Sequence, residues 1–321
     1  MKRCLLSLVL LFVFCSTLQA DQHAAPRVVV SIKPIHALAA AVMEGVGDPQ
    51  LIIKGAGSPH GYSLRPSEAR MLAEADLVVW IGEGLETFLA QPLENLAVQA
   101  DHLTLAQALS SHMLPIRDGG AWERHAHDDH AHDDHAHDNH AHDNHAHDNQ
   151  SELDHHIWTS PLVAKEIVEL IADKLVTMDP TRAAKYRANA VSTRERLDQL
   201  YQDVKAQVQP VASVPYLVFH DAYQYFERDF DLSAVGSVTI DTERTPGVRR
   251  VNDVREKIVA LNARAVFSEP QFQSRLVDTV LEGTGAGAGV LDPVGADLAE
   301  GPEAYFSLIR TMGKNILSTL Q

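Results

Sequence analysis

Cysteine is nearly absent from these 321 residues. The chain has two, Cys4 and Cys15, both near the N-terminus. Beyond them no thiol is available to form a disulfide or to offer a thiolate to a metal or a substrate. Positive charge is also scarce: Lys and Arg total 27 against 43 Asp and Glu, giving a formal net charge of −16. That balance argues against nucleic acid as a partner, because phosphates are neutralised by Lys and Arg. Long apolar runs are missing after residue 20, so no segment there is expected to cross a membrane as a helix. There is no HExxH, the helical signature of many zinc hydrolases.

The N-terminus has the make-up of an export signal. Lys2 and Arg3 precede a short apolar run from Leu5 to Phe14, and Leu18-Gln19-Ala20 ends it on a small residue. The run is too short to span a bilayer, so residues 1–20 are expected to be a signal peptide cleaved before Asp21, with the mature protein exported. A bulky Phe14 stands before Cys15 where bacterial lipidation wants a small residue, so no lipid anchor is expected.

From Arg27 the chain alternates β-branched runs with helical patterns. VVVSI (28–32), LIIK (51–54), LVVWI (77–81) and HLTL (102–105) read as strands separated by helices, and PYLVF (215–219), LSAVGSV (232–238), AVFS (265–268) and GVL (289–291) repeat the alternation. This βαβ order predicts parallel sheets covered by helices. Between the two sets, Asp179-Pro180 opens a periodic stretch to Gln209 that nothing interrupts, with Asp179 placed as N-cap and Pro180 as first residue. The expected architecture is two similar α/β lobes joined by one long rigid helix. The N-terminal lobe takes 21–122 with 151–178, the linking helix 179–209, and the C-terminal lobe 210–321. GTGAGAG (283–289) resembles a nucleotide loop, but it follows a helix and precedes a strand, so it reads as a turn.

Histidine is what the chain has in excess. Of 18, ten fall in one repeat of HAHD followed by Asp or Asn: His125, His127, His130, His132, His135, His137, His140, His142, His145 and His147. The surrounding segment, 123–150, is too polar and repetitive to offset the entropy of ordering, and reads as a disordered loop. Paired imidazoles followed by acids can wrap an ion in many equivalent ways, so the loop is expected to bind metal at several weak sites. Elsewhere, His60 follows the second strand, His220 follows the strand 215–219, and Asp292 follows the strand 289–291. Ligands of open α/β sheets collect at these carboxyl ends. His156, before Trp158, can join them. Three imidazoles without a thiolate suit zinc, with ligand nitrogens at about 2.0–2.1 Å. His155 is a neighbour able to compete with His156; His36, His102, His112 and His23 read as structural. Glu269, after a strand, reads as a structural hydrogen-bond partner.

At these residues the sequence resembles a known family. SPHGYSLRPSEAR (58–70), HIWTSP (156–161), VFHDAYQYFE (218–227), FSEPQF (267–272) and LDPVG (291–295) are similar, in order, to the marker segments of the metal-binding receptors of bacterial ABC importers, of the zinc-binding ZnuA type. The resemblance implies one Zn²⁺ held between the lobes by His60, His156 and His220, carried as cargo to an inner-membrane ABC permease. Manganese members usually carry a carboxylate at the third position, so His220 favours zinc. A histidine-rich acidic loop between the first two ligands is typical of zinc members. Two departures stand out: Pro59 occupies a place where some members have a coordinating carboxylate, and His155 one where proline is common. Asp292 matches a late aspartate ligand of other members and is a possible fourth ligand; it reads equally as a turn aspartate before Pro293 that caps backbone amides, and water is the alternative in the fourth position. The expected function is a monomeric solute-binding receptor without enzymatic activity. The alternatives are a receptor for manganese or another divalent ion, and a periplasmic metal buffer.

Overall fold

The computed structural model describes residues 24–117, 122, 153–239, 247–272 and 274–321. The expected signal peptide at 1–20 and the histidine repeat at 125–149 lie outside the described residues. No described helix is long and apolar enough to cross a membrane.

The first lobe is built on β1 (Val28–Val30), α1 (Lys33–Val42), β2 (Gln50–Leu51), α2 (Pro66–Ala73), β3 (Leu77–Trp80), α3 (Thr87–Asn95), β4 (Asp101–Thr104) and the short α4 (Leu105–Ala108). Its four strands are parallel, in the order β2-β1-β3-β4. All of β1 and β3 is buried, as continuous apolar runs in a sheet covered on both faces should be. The α1 sequence, KPIHALAAAV, is buried along its whole length, with alanines that allow close approach of its neighbours.

Next comes a feature the sequence reading missed. β5 (Leu114–Pro115) and β6 (Leu153–Asp154) form a two-stranded antiparallel ladder, so the chain leaves toward the histidine repeat and returns from it side by side. A hydroxyl of the second lobe ties them: Tyr225 OH accepts from Leu114 N at 2.9 Å and donates to Asp154 O at 2.6 Å.

α5 (Pro161–Met178) follows, capped by Ser160 Oγ, which accepts from Val163 N at 3.0 Å. The long linking helix is α6 (Ala183–Val208), 26 residues, or about 39 Å at 1.5 Å per residue. It starts later than expected. Residues 180–182 form a 3₁₀ turn, and Asp179 does not cap backbone amides; its carboxylate accepts from Thr181 Oγ1, Arg182 Nη1 and Tyr186 OH. Asn189, inside the helix, donates to Val42 O and Glu44 O and so satisfies the C-terminal end of α1.

The second lobe repeats the plan with β7 (Tyr216–Val218), α7 (Gln224–Phe230), β8 (Ala234–Ser237), α8 (Val248–Ala260), β9 (Ala265–Ser268), α9 (Ser274–Leu281), β10 (Gly287–Val290) and α10 (Ala304–Leu320). The sheet is parallel, in the order β10-β9-β7-β8. GTGAGAG divides between a turn and β10, with Gly283 and Gly285 at positive φ. Gly289 lies so close to Phe267 that a Cβ would meet its ring at 2.4 Å.

The main hydrophobic core runs through both lobes, because α6 and α10 pack on each other and on α1. A second, smaller core, including Leu217, Val254, Ile258, Val266 and Val280, lies in the second lobe beside α8 and α9. Across the seam, Lys33 Nζ donates to Gly295 O, Ala296 O and Leu298 O at 2.6–2.8 Å, and Trp158 Nε1 donates to Pro293 O at 2.7 Å.

Candidate metal centre

The ends of both parallel sheets open onto one small cavity, lined by His60, His156, Trp158, His220, Glu269 and Gln271 among others. The loop carrying His60 is fixed to α2. Tyr62 OH donates to Glu68 Oε1 at 2.8 Å, and Arg65 N donates to Glu68 Oε2 at 2.8 Å. His156 enters directly from β6, and its ring lies 5.2 Å from that of Trp158, which is fully buried. His220 lies just beyond β7. The register that pairs Val218 with Phe267 carries on past the strand ends and brings His220 beside Glu269.

The ligand atoms of His60, His156 and His220 all lie within 4.8 Å of one another. The His156 Nε2 to His60 Nε2 distance is 3.3 Å, and His220 Nε2 to His156 Nε2 is 3.4 Å. Bonds of about 2.05 Å at tetrahedral angles put ligand nitrogens about 3.35 Å apart, whereas right-angled ligands at the same bond length would be about 2.9 Å apart. The observed spacing is the tetrahedral one.

The other side of two rings decides their tautomers. His156 Nδ1 lies 2.8 Å from Asp154 Oδ1, and His220 Nδ1 lies 2.5 Å from Glu269 Oε1. An ionised carboxylate only accepts, so Nδ1 carries the proton in each neutral ring and Nε2 presents a lone pair. When both rings are neutral, two lone pairs face each other at 3.4 Å in a site where His156 and His220 are 8% and 5% exposed. A cation between them turns that repulsion into attraction.

Proton affinities differ across the trio. Burial and the neighbouring His156 and His220 push His60 well below the usual imidazole value, so it is neutral and ready to coordinate. Burial also works to lower His220, but the charge and hydrogen bond of Glu269 outweigh it and raise the pKa. His220 thus holds a proton more readily than His60 does, and a metal must displace it there.

Asp292, expected as a possible fourth ligand, is not in this cluster among the described residues. Its carboxylate accepts from Val294 N, Gly295 N and Ala296 N at 2.6–3.1 Å, closing the turn after β10, and from Gln271 Nε2 at 2.7 Å. His155 also lies outside the cluster. It is buried against Gly84, where a Cβ would strike its ring at 2.1 Å. His36 is buried with Nε2 2.9 Å from Pro49 O, and His102 Nε2 lies 3.0 Å from Ala97 O. Sequence reasoning passed over Asp154 and Gln271 and gave Glu269 no tie to a ligand. The signal was present: DHH places a carboxylate two residues before His156, and EPQ directly follows β9, at the sheet edge where ligands gather.

Comparison with known proteins agrees with this layout. The family model described as ZnuA, zinc-uptake complex component A periplasmic, matches residues 28–319. A high-affinity zinc uptake system protein ZnuA of Brucella abortus (strain 2308) is 46% identical over 318 residues, covering 96% of this chain and 95% of that protein. Its counterpart in Yersinia pestis is 33% identical over 298 residues, covering 93% and 92%. A crystal structure of ZnuA superposes with a TM-score of 0.73 at 22% identity, covering 92% of this chain and 100% of that one. The solute-binding protein FpvC of Pseudomonas aeruginosa in complex with Mn²⁺ gives 0.75 at 19% identity, covering 92% and 99%. Those two likenesses speak for the fold alone. With the model match spanning nearly all of the described chain, and relatives of this identity, the chain belongs to the ZnuA family, periplasmic components of zinc uptake that act as receptors and not as enzymes.

Proposed function

We propose that this protein captures Zn²⁺ in the periplasm with His60, His156 and His220 and delivers it to an inner-membrane ABC permease. The observation that carries the reading is the pair of Nε2 atoms 3.4 Å apart, each on a ring whose Nδ1 meets a carboxylate on the far side. Zinc suits three neutral imidazoles without a thiolate. Zinc is the cargo, and the site needs no catalytic base. Export uses a cleaved signal peptide at residues 1–20, and the mature receptor works as a monomer without a lipid anchor. The repeat from His125 to His147 is an accessory element that concentrates zinc near the cleft or senses its excess.

The test is the metal content of mature protein lacking residues 125–149, dialysed against equal Zn²⁺ and Mn²⁺. One retained zinc per chain is expected. One manganese would keep the receptor but overturn its ion. No retained metal would move the binding to the repeat and make the protein a buffer. Comparison with the intact protein reads the loop: equal total zinc would rule out binding by the repeat.

A further inference from the structure

Three histidines leave a tetrahedral ion one position short. Among the described residues no carboxylate joins the three histidines in their cluster. Glu269 is held by His220 Nδ1, and Asp292, just outside the lining, is held by three backbone amides. Gln271 also lines the cavity. Its side-chain nitrogen donates to Asp292 Oδ1 at 2.7 Å. Because that carboxylate only accepts, Gln271 can face it with its NH₂ group alone, and the turn that fixes Asp292 therefore fixes the amide's orientation. The carbonyl oxygen Oε1 is left over. It is buried and has no hydrogen-bond partner among the described residues, a costly state for an amide oxygen and one that needs a reason.

We propose that Gln271 Oε1 serves the fourth coordination position by accepting a hydrogen bond from a water bound to the captured ion opposite the three histidines. The proposal rests on the three-histidine reading above. An amide carbonyl accepts a hydrogen bond but does not take up a proton, so Gln271 orients the bound water and does not serve as its base. Gln271 is then a positioning residue held by Asp292, and the aspartate acts on the metal through the amide instead of touching it.

The test uses the full-length chain loaded with one equivalent of zinc. Its crystal structure is expected to show zinc on the three Nε2 atoms and an oxygen ligand about 2.7–3.0 Å from Gln271 Oε1. Gln271→Leu loses the bond to Asp292 together with the oxygen, so its unfolding midpoint without metal is expected to fall by a few degrees while the chain stays folded, Asp292 being held by three amides of its own turn. The variant should release zinc to a chelator about 10–100-fold faster, the usual loss for an outer residue. A fourth position filled by the carboxylate of Asp292 or Glu269, or wild-type release from Gln271→Leu, would overturn the proposal while leaving the three histidines in place. Zinc found elsewhere than on those histidines would instead overturn the reading beneath it.

Discussion

The two lobes bring their histidines to the cavity by different means. In the second lobe the site grows straight out of the sheet. β7 and β9 are hydrogen-bonded neighbours, and their register delivers His220 and Glu269 already paired. In the first lobe His60 stands on an irregular loop well beyond β2, held at one remove through Tyr62 and Glu68. Its ring gains no carboxylate partner among the hydrogen bonds of the described residues, and burial beside two other imidazoles lowers its proton affinity. The second lobe thus supplies a rigid, electron-rich ligand, and the first supplies a neutral one whose position depends on a loop. His156 lies between these cases: it belongs to the first lobe, but its chain segment is pinned by Tyr225 of the second.

Removing a ligand from either lobe should have the largest effect. His220→Ala and His60→Ala are each expected to weaken zinc binding by more than the roughly 10–100-fold typical of outer residues, measured by competition with a chelator. If His60→Ala bound zinc as the wild type does, the site would belong to the second lobe and His156 alone.

Glu269→Gln tests the rigid side. At neutral pH it should cost about 10–100-fold in zinc affinity, since the tautomer and orientation of His220 lose their anchor. The sign changes with acid. Glu269 raises the His220 pKa, so in the wild type protons displace zinc early as pH falls through and below the ordinary imidazole value of about 6.5. Without that carboxylate, burial dominates and lowers the pKa, and proton competition sets in at lower pH. The affinity gap between variant and wild type should therefore narrow between pH 7.5 and 5. A gap that widened would mean that Glu269 does not set the protonation of His220.

Tyr62→Phe should have the smallest effect. It removes one partly buried hydrogen bond between the His60 loop and α2, worth roughly 1 kcal/mol, so zinc affinity should change by no more than about fivefold. An effect as large as that of Glu269→Gln would show that the loop is as tightly specified as the sheet edge.

The alternation of strands and helices was readable because parallel strands covered on both faces must be apolar throughout. VVVSI, LVVWI and AVFS all contain strands at their expected places. His60 and His220 were readable from their places after strands, and all three clustered histidines from the marker segments. What the local pattern left open was which of several possible partners each group finds in the fold. β5 and β6 are two residues each and lie on opposite sides of the histidine repeat, so no local pattern announces them. Asp179 followed by proline has the form of a helix cap, yet Tyr186 and Arg182 claim its oxygens. Asp292 stands at a strand end like a ligand, but three amides of its own turn reach it first. The same rule of position at a sheet edge pointed to His220 and to Asp292, and only the folded neighbours tell them apart.

His60, His156 and His220 come from three widely separated stretches of chain, and an ion held by all three would close two long loops at once. Metal occupancy is therefore folding free energy as well as cargo. Each tenfold rise of free zinc above the dissociation constant adds about 1.4 kcal/mol to the stability of the native chain. A laden receptor would then resist heat and proteases better than an empty one, and the zinc supply around it would bear on how long each molecule survives.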